Sequence, residues 1–149
     1  MRIENKKAFF DYEVVEKVEA GIVLLGSEVK SIKQGQINLT GSRIVPIKGE
    51  LWVVGMTIPK YRFTTDENYE LGRSRKILIK KKERLAVEAK RQTAGLTLVP
   101  LAVYNKGSLI KLEIGLVRGK KKYEKRDILK KRSEERQIER VLKNKRPDA

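Results

Sequence analysis

The side chains that carry most enzymatic chemistry are missing from this sequence. It has no histidine and no cysteine, which removes the commonest general base and metal ligand, the thiolate nucleophile, disulfides, and cysteine-held zinc or iron–sulfur sites. Catalysis would be left to carboxylates, Lys, Tyr, Ser or an oxygen-ligated metal. The four aspartates, Asp11, Asp66, Asp127 and Asp148, lie far apart with no local pairing, whereas a nuclease-like magnesium site needs several carboxylates close together. No catalytic residue, metal or cofactor is therefore expected. What the chain has in excess is positive charge: 35 Lys and Arg against 19 Asp and Glu, a formal +16. Such a surface attracts polyanions, nucleic acid before an anionic membrane, because neutralising phosphates releases condensed counterions. No run is long and apolar enough to span a bilayer, and Met1 to Lys7 lacks the apolar stretch of a secretion signal, so a cytoplasmic protein without a membrane partner is expected.

The cations are clustered. Lys6 and Lys7 stand together, Arg73, Arg75 and Lys76 form a second group, and Gly119-Lys120-Lys121-Lys122-Tyr123-Glu124-Lys125-Arg126 a third. A single surface Lys or Arg is as often a solubilising charge as a contact, but clusters can position phosphates. Tyr61, Phe63 and Tyr69 lie within one segment and could either stack on bases or pack beneath their own loop.

These groups need a scaffold, and 149 residues suit one domain. Short apolar runs cut by glycine from Phe9 to Val54 favour strands. Phe9 to Val18 reads as a first strand, Glu19-Ala20-Gly21 as a turn, and Ile22 to Leu25 as the next strand. Residues 26–35 have apolar positions three apart, a possible Ser27 cap and a glycine stop, which suits a short helix. A hairpin is read from Ser42 to Met56 across Lys48-Gly49-Glu50, a long loop from Pro59 to Gly72, and a helix from Lys81 to Gln92 ending near Gly95. Leu96 to Tyr104 and Leu109 to Val117 make the strongest hairpin, with Ile110, Leu112, Ile114 and Leu116 on one face. After Arg118 the composition changes. The last 31 residues hold 13 Lys or Arg and 6 Asp or Glu, too few apolar groups for a core, which predicts a segment disordered alone that folds on a partner. The expectation is a mainly β protein: an OB-like antiparallel barrel over residues 1–118 with an embedded short helix and one further helix, then a basic C-terminal tail over 119–149. Spacing alone leaves an SH3-like barrel open.

Four segments in order resemble one family: Asn5-Lys6-Lys7-Ala8; Glu19-Ala20-Gly21-Ile22 with Gly26-Ser27-Glu28-Val29-Lys30-Ser31; Arg73-Ser74-Arg75-Lys76-Ile77-Leu78-Ile79; and Ile114 through Arg126. Together they are similar to the SmpB family, the SsrA-binding small proteins, over about Asn5 to Arg146. The resemblance implies an OB-like body bound to the tRNA-like domain of tmRNA. It further implies delivery of tmRNA to stalled ribosomes in trans-translation by a monomer bound one-to-one, with small-subunit ribosomal RNA as second partner. It aligns Asn5, Glu19 and Leu78 with positions that hold tmRNA. By residue type alone these would be a turn residue, a solvated turn carboxylate and a core leucine. In the tail, the resemblance places Gly119, Lys120, Lys121, Tyr123, Glu124, Lys125 and Arg126 at the decoding centre, with the Tyr123 ring stacked on a base. Some relatives have histidine and aspartate where this chain has Tyr123 and Glu124, which excludes a titrating imidazole here. Ile138 and Leu142, one helical turn apart, would rest against the empty messenger channel once the tail is helical on the ribosome. The alternative is a ribosomal or initiation-factor-like OB protein that binds ribosomal RNA directly.

Overall fold

The computed structural model describes residues 1–120. The chain divides into two units, Met1–Arg118 and Gly119–Ala149, and the first carries the architecture that follows. Its elements run β1 (Arg2–Glu4), α1 (Lys6–Asp11), β2 (Tyr12–Ile22), α2 (Gly26–Lys33), β3 (Arg43–Ile47), β4 (Glu50–Val54), β5 (Arg75–Leu78), α3 (Lys81–Ala94), β6 (Thr97–Lys106) and β7 (Leu109–Gly119). The strands form one sheet in the order β1-β6-β7-β2-β5-β4-β3. Both edges of β6 are occupied, by β1 and β7, so β3 packs against β6 without pairing to it. The sheet thus curls towards an OB-like barrel but is not closed by a ladder.

Alternation on β7 supplies the interior, with Ile110, Leu112, Ile114 and Leu116 all buried. They meet Ile32 of α2, Leu51 and Val53 of β4, Ile77 of β5 and Val87 of α3 in one core. Each such side chain contributes roughly 1.5–3 kcal/mol when fully buried. A second cluster of Ala8, Val99, Leu101 and Val117 lies under Phe9 and Tyr12. Part of β6 and β7 is therefore covered on both faces, which is why Leu98 to Val103 are buried without a break. Leu101 leaves no room opposite it: a Cβ on Gly115 would come within 2.6 Å of Leu101 Cδ1.

Three elements differ from the sequence reading. Phe9 belongs to α1, a helix missed because β-formers follow so closely; Asn5 caps it by accepting from the Ala8 amide at 3.2 Å. Glu19-Ala20-Gly21 is no turn but the continuation of β2, where Gly21 pairs with Leu78. The α2 cap is Leu25 rather than Ser27, and the Glu28 carboxylate reaches back to accept from the Leu25 amide at 2.8 Å. The two short connections match expectation, since Lys48 and Gly49, and Gly107, take left-handed φ.

The Pro59–Gly72 segment has no regular element, yet its base is fastened. Arg75 is fully buried and donates to Glu28 Oε2 from Nε at 2.7 Å and from Nη2 at 2.5 Å. It also donates to the carbonyls of Met56 at 2.9 Å and Leu71 at 3.0 Å. Tyr69 donates its hydroxyl hydrogen to the Ile58 carbonyl at 2.7 Å, and Arg73 also pairs with Glu28. Burial by itself would raise the Glu28 pKa, but the Leu25 amide and the two guanidiniums outweigh it and hold the carboxyl below its ordinary value. A depressed carboxylate stabilises the fold above its ordinary value of 4.5 and loses that contribution as pH falls through the folded value. We expect Glu28→Ala to leave Arg75 buried with its main partner gone, costing about 3–5 kcal/mol in chemical denaturation. The loss should shrink as the wild type is acidified below pH 4.5; equal stability of the two proteins at neutral pH would show that the pair is not what fastens the loop.

Candidate nucleic-acid interface

Alternation along β5 sorts its side chains before any ligand is considered. Arg75 and Ile77 point inward and are buried, while Lys76 and Leu78 point outward. Leu78, a core leucine by type, is 53% exposed. The reason is Gly21 on the neighbouring strand, where an added Cβ would lie 3.2 Å from Leu78 Cβ and 3.7 Å from Cδ1. With no side chain at Gly21, Leu78 lies over bare backbone and offers an apolar surface at the sheet face.

Glu19 stands two residues before Gly21 on the same face of β2, about 7 Å along the strand. Its carboxylate accepts from the Tyr104 hydroxyl on β6 and from Lys106 Nζ at 3.3 Å. The Tyr104 hydrogen bond first, and then Lys106 against the opposing effect of burial, holds the Glu19 carboxyl below its usual range. Burial, and then the Glu19 charge, pushes the Tyr104 phenol up to about 12. Glu19 is therefore a fixed, charge-balanced acceptor. A carboxylate offers about four lone-pair sites, so acceptor capacity remains for base amino groups or 2′-hydroxyls.

The cations divide between two hollows that share no residue. One, of about 290 Å³, is lined by Lys76, Leu78, Lys81 and Arg84. The other, of about 300 Å³, is lined by Lys7, Asp11, Tyr12 and Arg43. Lys6 and Lys7 are exposed on α1, and Lys76 pairs with Glu50 at 2.9 Å while staying 38% exposed. Arg73 is part-exposed beside Glu28.

Two expected contacts are relocated by the structure. Asn5 is buried: Nδ2 donates to the Leu39 carbonyl at 3.2 Å and the Pro100 carbonyl at 2.9 Å, while Oδ1 caps α1. Both of its side-chain donors are spent on the fold, so its role is to tie α1 to β6. Arg75 is likewise internal, held there by Glu28, and the part of its cluster open to solvent is Lys76 with Arg73. Gly119 ends β7 and Lys120 follows it, whereas Lys121, Tyr123, Glu124, Lys125, Arg126, Ile138 and Leu142 lie outside the described residues. Sequence reasoning passed over Gly21, Tyr104 and Lys106. A glycine inside a strand signals close approach of a neighbour, but nothing local links Tyr104 and Lys106 to Glu19, 85 and 87 residues away.

Comparison with known proteins bears directly on this surface. The family model described as SmpB protein matches residues 2–144. The SsrA-binding protein of Carboxydothermus hydrogenoformans is 46% identical over 140 residues, covering 94% of each chain. That of Sulfurihydrogenibium sp. is 46% identical over 141 residues, covering 95% of this chain and 93% of its own. Among solved structures, a chain from "tmRNA-SmpB: a journey to the center of the bacterial ribosome" is similar with a TM-score of 0.67 and 41% identity, covering 81% of this chain and 85% of that one.

The Glu19–Tyr104 contact makes a direct prediction about titration. A phenol whose pKa is raised stabilises the fold fully below its ordinary 10.0 and loses that contribution as pH climbs through about 12. Tyr104→Phe should remove the late-ionising phenol from the absorbance titration and raise the Glu19 carboxyl, followed by carbon-detected NMR, towards its ordinary 4.5. An unmoved Glu19 titration would mean that the hydroxyl does not hold this carboxylate.

Proposed function

The chain belongs to the SmpB family, and from that membership we propose that it is an RNA-binding adaptor. It binds the tRNA-like domain of tmRNA and delivers it to stalled ribosomes for trans-translation, as a cytoplasmic monomer bound one-to-one. The observation that carries this reading is the sheet face built from Glu19, Gly21 and Leu78. A carboxylate is repelled by phosphates, so one fixed on the outer face of a +16 chain serves recognition rather than attraction. Lys106 balances its charge locally, Leu78 supplies an apolar surface for a base or sugar, and Lys76, Lys6, Lys7 and Arg73 position phosphates. Direct binding of ribosomal RNA as the sole task is disfavoured, since relatives that match nearly the whole chain are named for binding SsrA.

The adaptor reading assigns the protein no chemistry of its own. Among the described residues no three His, Cys, Asp or Glu side chains are grouped to hold a metal, and no helix is long and apolar enough to cross a membrane. The basic segment 119–149 takes the second role: Gly119 to Arg126 at the decoding centre, with Tyr123 stacking on ribosomal RNA, and Ile138 with Leu142 along the empty messenger channel.

Glu19→Ala is expected to weaken tmRNA binding by about 1–3 kcal/mol, the typical cost of an unpaired donor, while Lys120→Ala leaves it unchanged in the same filter-binding assay. Tighter binding by Glu19→Ala would reject the contact, because loss of a negative charge should otherwise help a polyanion ligand. For the tail, proline at Ile138 should leave tmRNA binding intact yet sharply reduce peptide tagging, since a helix-interior proline costs about 3 kcal/mol or more. Full tagging by Ile138→Pro would remove the helix from the mechanism.

A further inference from the structure

The loop between β4 and β5 has a use that the Glu19 face leaves open. Of its three aromatics, Tyr69 is committed to the fold through the Ile58 carbonyl and Glu28. Phe63 is not, being 66% exposed, the most exposed large apolar side chain among the described residues. The Tyr61 ring meets it edge-on at 5.5 Å between centroids, with 69° between planes. Cations flank both: Lys30 Nζ lies 5.5 Å from the Tyr61 centroid and Arg62 Cζ 4.6 Å from that of Phe63.

Exposing a phenylalanine forfeits burial free energy, and the loop that carries Phe63 is fastened at its base rather than at the ring. Ser31 Oγ donates to the Pro59 carbonyl at 2.9 Å, and the Ile58 amide to the Leu71 carbonyl at 3.0 Å. With Arg75 on Leu71 at 3.0 Å, both limbs are gripped at the base. The sequence Lys60-Tyr61-Arg62-Phe63 alternates cation and ring, the combination by which proteins track an unpaired strand: phosphates on the cations, bases on the π faces. Asp66, Glu67 and Glu70 occupy the returning limb and repel phosphates there, which confines the strand to the side of Lys30, Lys60 and Arg62.

We propose that the exposed Phe63–Tyr61 pair, set between Lys30 and Arg62 on this fastened loop, is a second RNA contact that stacks an unpaired base, apart from the Glu19–Leu78 face. The proposal rests on the RNA-binding reading above but not on which RNA is bound. A protein partner would find a small, cation-ringed aromatic tip with acidic residues beside it, a poor apolar dock.

The full-length protein is tested with a fluorescein-labelled single-stranded uridine 12-mer, a duplex of the same length, and tmRNA. Salt of about 0.3 M suppresses binding by charge alone. Phe63→Leu keeps the apolar volume and removes the ring; Phe63→Trp keeps a ring. We expect Phe63→Leu to bind the single strand at least about fivefold more weakly, the lower end for one stacked base. Its salt dependence and thermal midpoint should stay those of the wild type, its duplex binding should be unchanged, and Phe63→Trp should restore affinity. Ultraviolet crosslinking should place a nucleotide on the tryptic peptide 63–73 in the wild type. Unchanged affinity in Phe63→Leu, or bound single strand with no adduct on that peptide, would overturn the proposal and leave the tip to a protein partner. Wild-type binding of tmRNA, measured alongside, decides the adaptor reading separately.

Discussion

A buried ion pair sets the geometry on which the interface depends. Arg75 and Glu28 are both excluded from solvent, and removing two charges from water is worth attempting only when every remaining hydrogen-bonding site is met. Arg75 meets that condition through the Met56, Leu71 and Arg73 carbonyls, and Glu28 through the Leu25 amide and Arg73. Because strand side chains alternate, an inward Arg75 forces Ile77 inward and Lys76 and Leu78 outward. A slip of one residue would reverse all four. The same guanidinium holds the Leu71 carbonyl near the end of the long loop, so one interaction bears on both the register of β5 and the base of the loop beside it.

In the proposed interface, attraction and selectivity are separated. The net charge provides long-range, salt-sensitive affinity for any nucleic acid, and it needs no particular geometry. Glu19 and Leu78 cannot contribute to that, since one is anionic and the other apolar; their value is at contact distance. For a carboxylate to be tolerated there, its charge must be balanced by the protein, and Lys106 with the Tyr104 hydroxyl does this from β6. For a leucine to be exposed at a sheet face, its neighbour must be small, and Gly21 is. Both conditions are met between strands rather than along the chain: Gly21 across the β2–β5 pairing, and Tyr104 with Lys106 from β6 beyond β7.

That distinction explains what was legible in the sequence. The β6–β7 hairpin, the β3–β4 hairpin and α3 are local: alternation, left-handed turn residues and Gly95 at the end of the helix suffice to place them. Their order narrows the class to a small antiparallel barrel, within which spacing left an SH3-like form open and the charge favoured the OB-like one. The helix α1 was hidden because β-formers follow it directly, although its cap, Asn5 accepting from the Ala8 amide, is local. The turn read at Glu19-Ala20-Gly21 failed because Gly21 serves a neighbouring strand and not a bend. In the site, clusters were legible but individual roles were not. Alternation with Ile77 could have sent Arg75 inward; residue type argued the other way, since an arginine with no visible partner is expected outside, and its partner Glu28 is 47 residues distant.

The unequal distribution of apolar residues then bears on how the chain is used. Among the described residues both buried clusters lie within 1–118, so the sheet can keep Glu19 and Leu78 in place without any ligand, and binding at the proposed face would involve little ordering. The last 31 residues offer Ile128, Leu129, Ile138, Val141 and Leu142 among 13 cations and 6 anions. Ordering them costs roughly 1–2 kcal/mol per residue, more than five aliphatic side chains can return on their own. A surface dense in phosphates changes that balance by relieving repulsion among the cations. Helix formation by that segment, as proposed, would therefore have to draw its free energy from a partner rather than from a core of its own. An adaptor of the kind proposed, which must hold one RNA continuously and engage another only on arrival, would be served by a sheet face that its own core already holds in place.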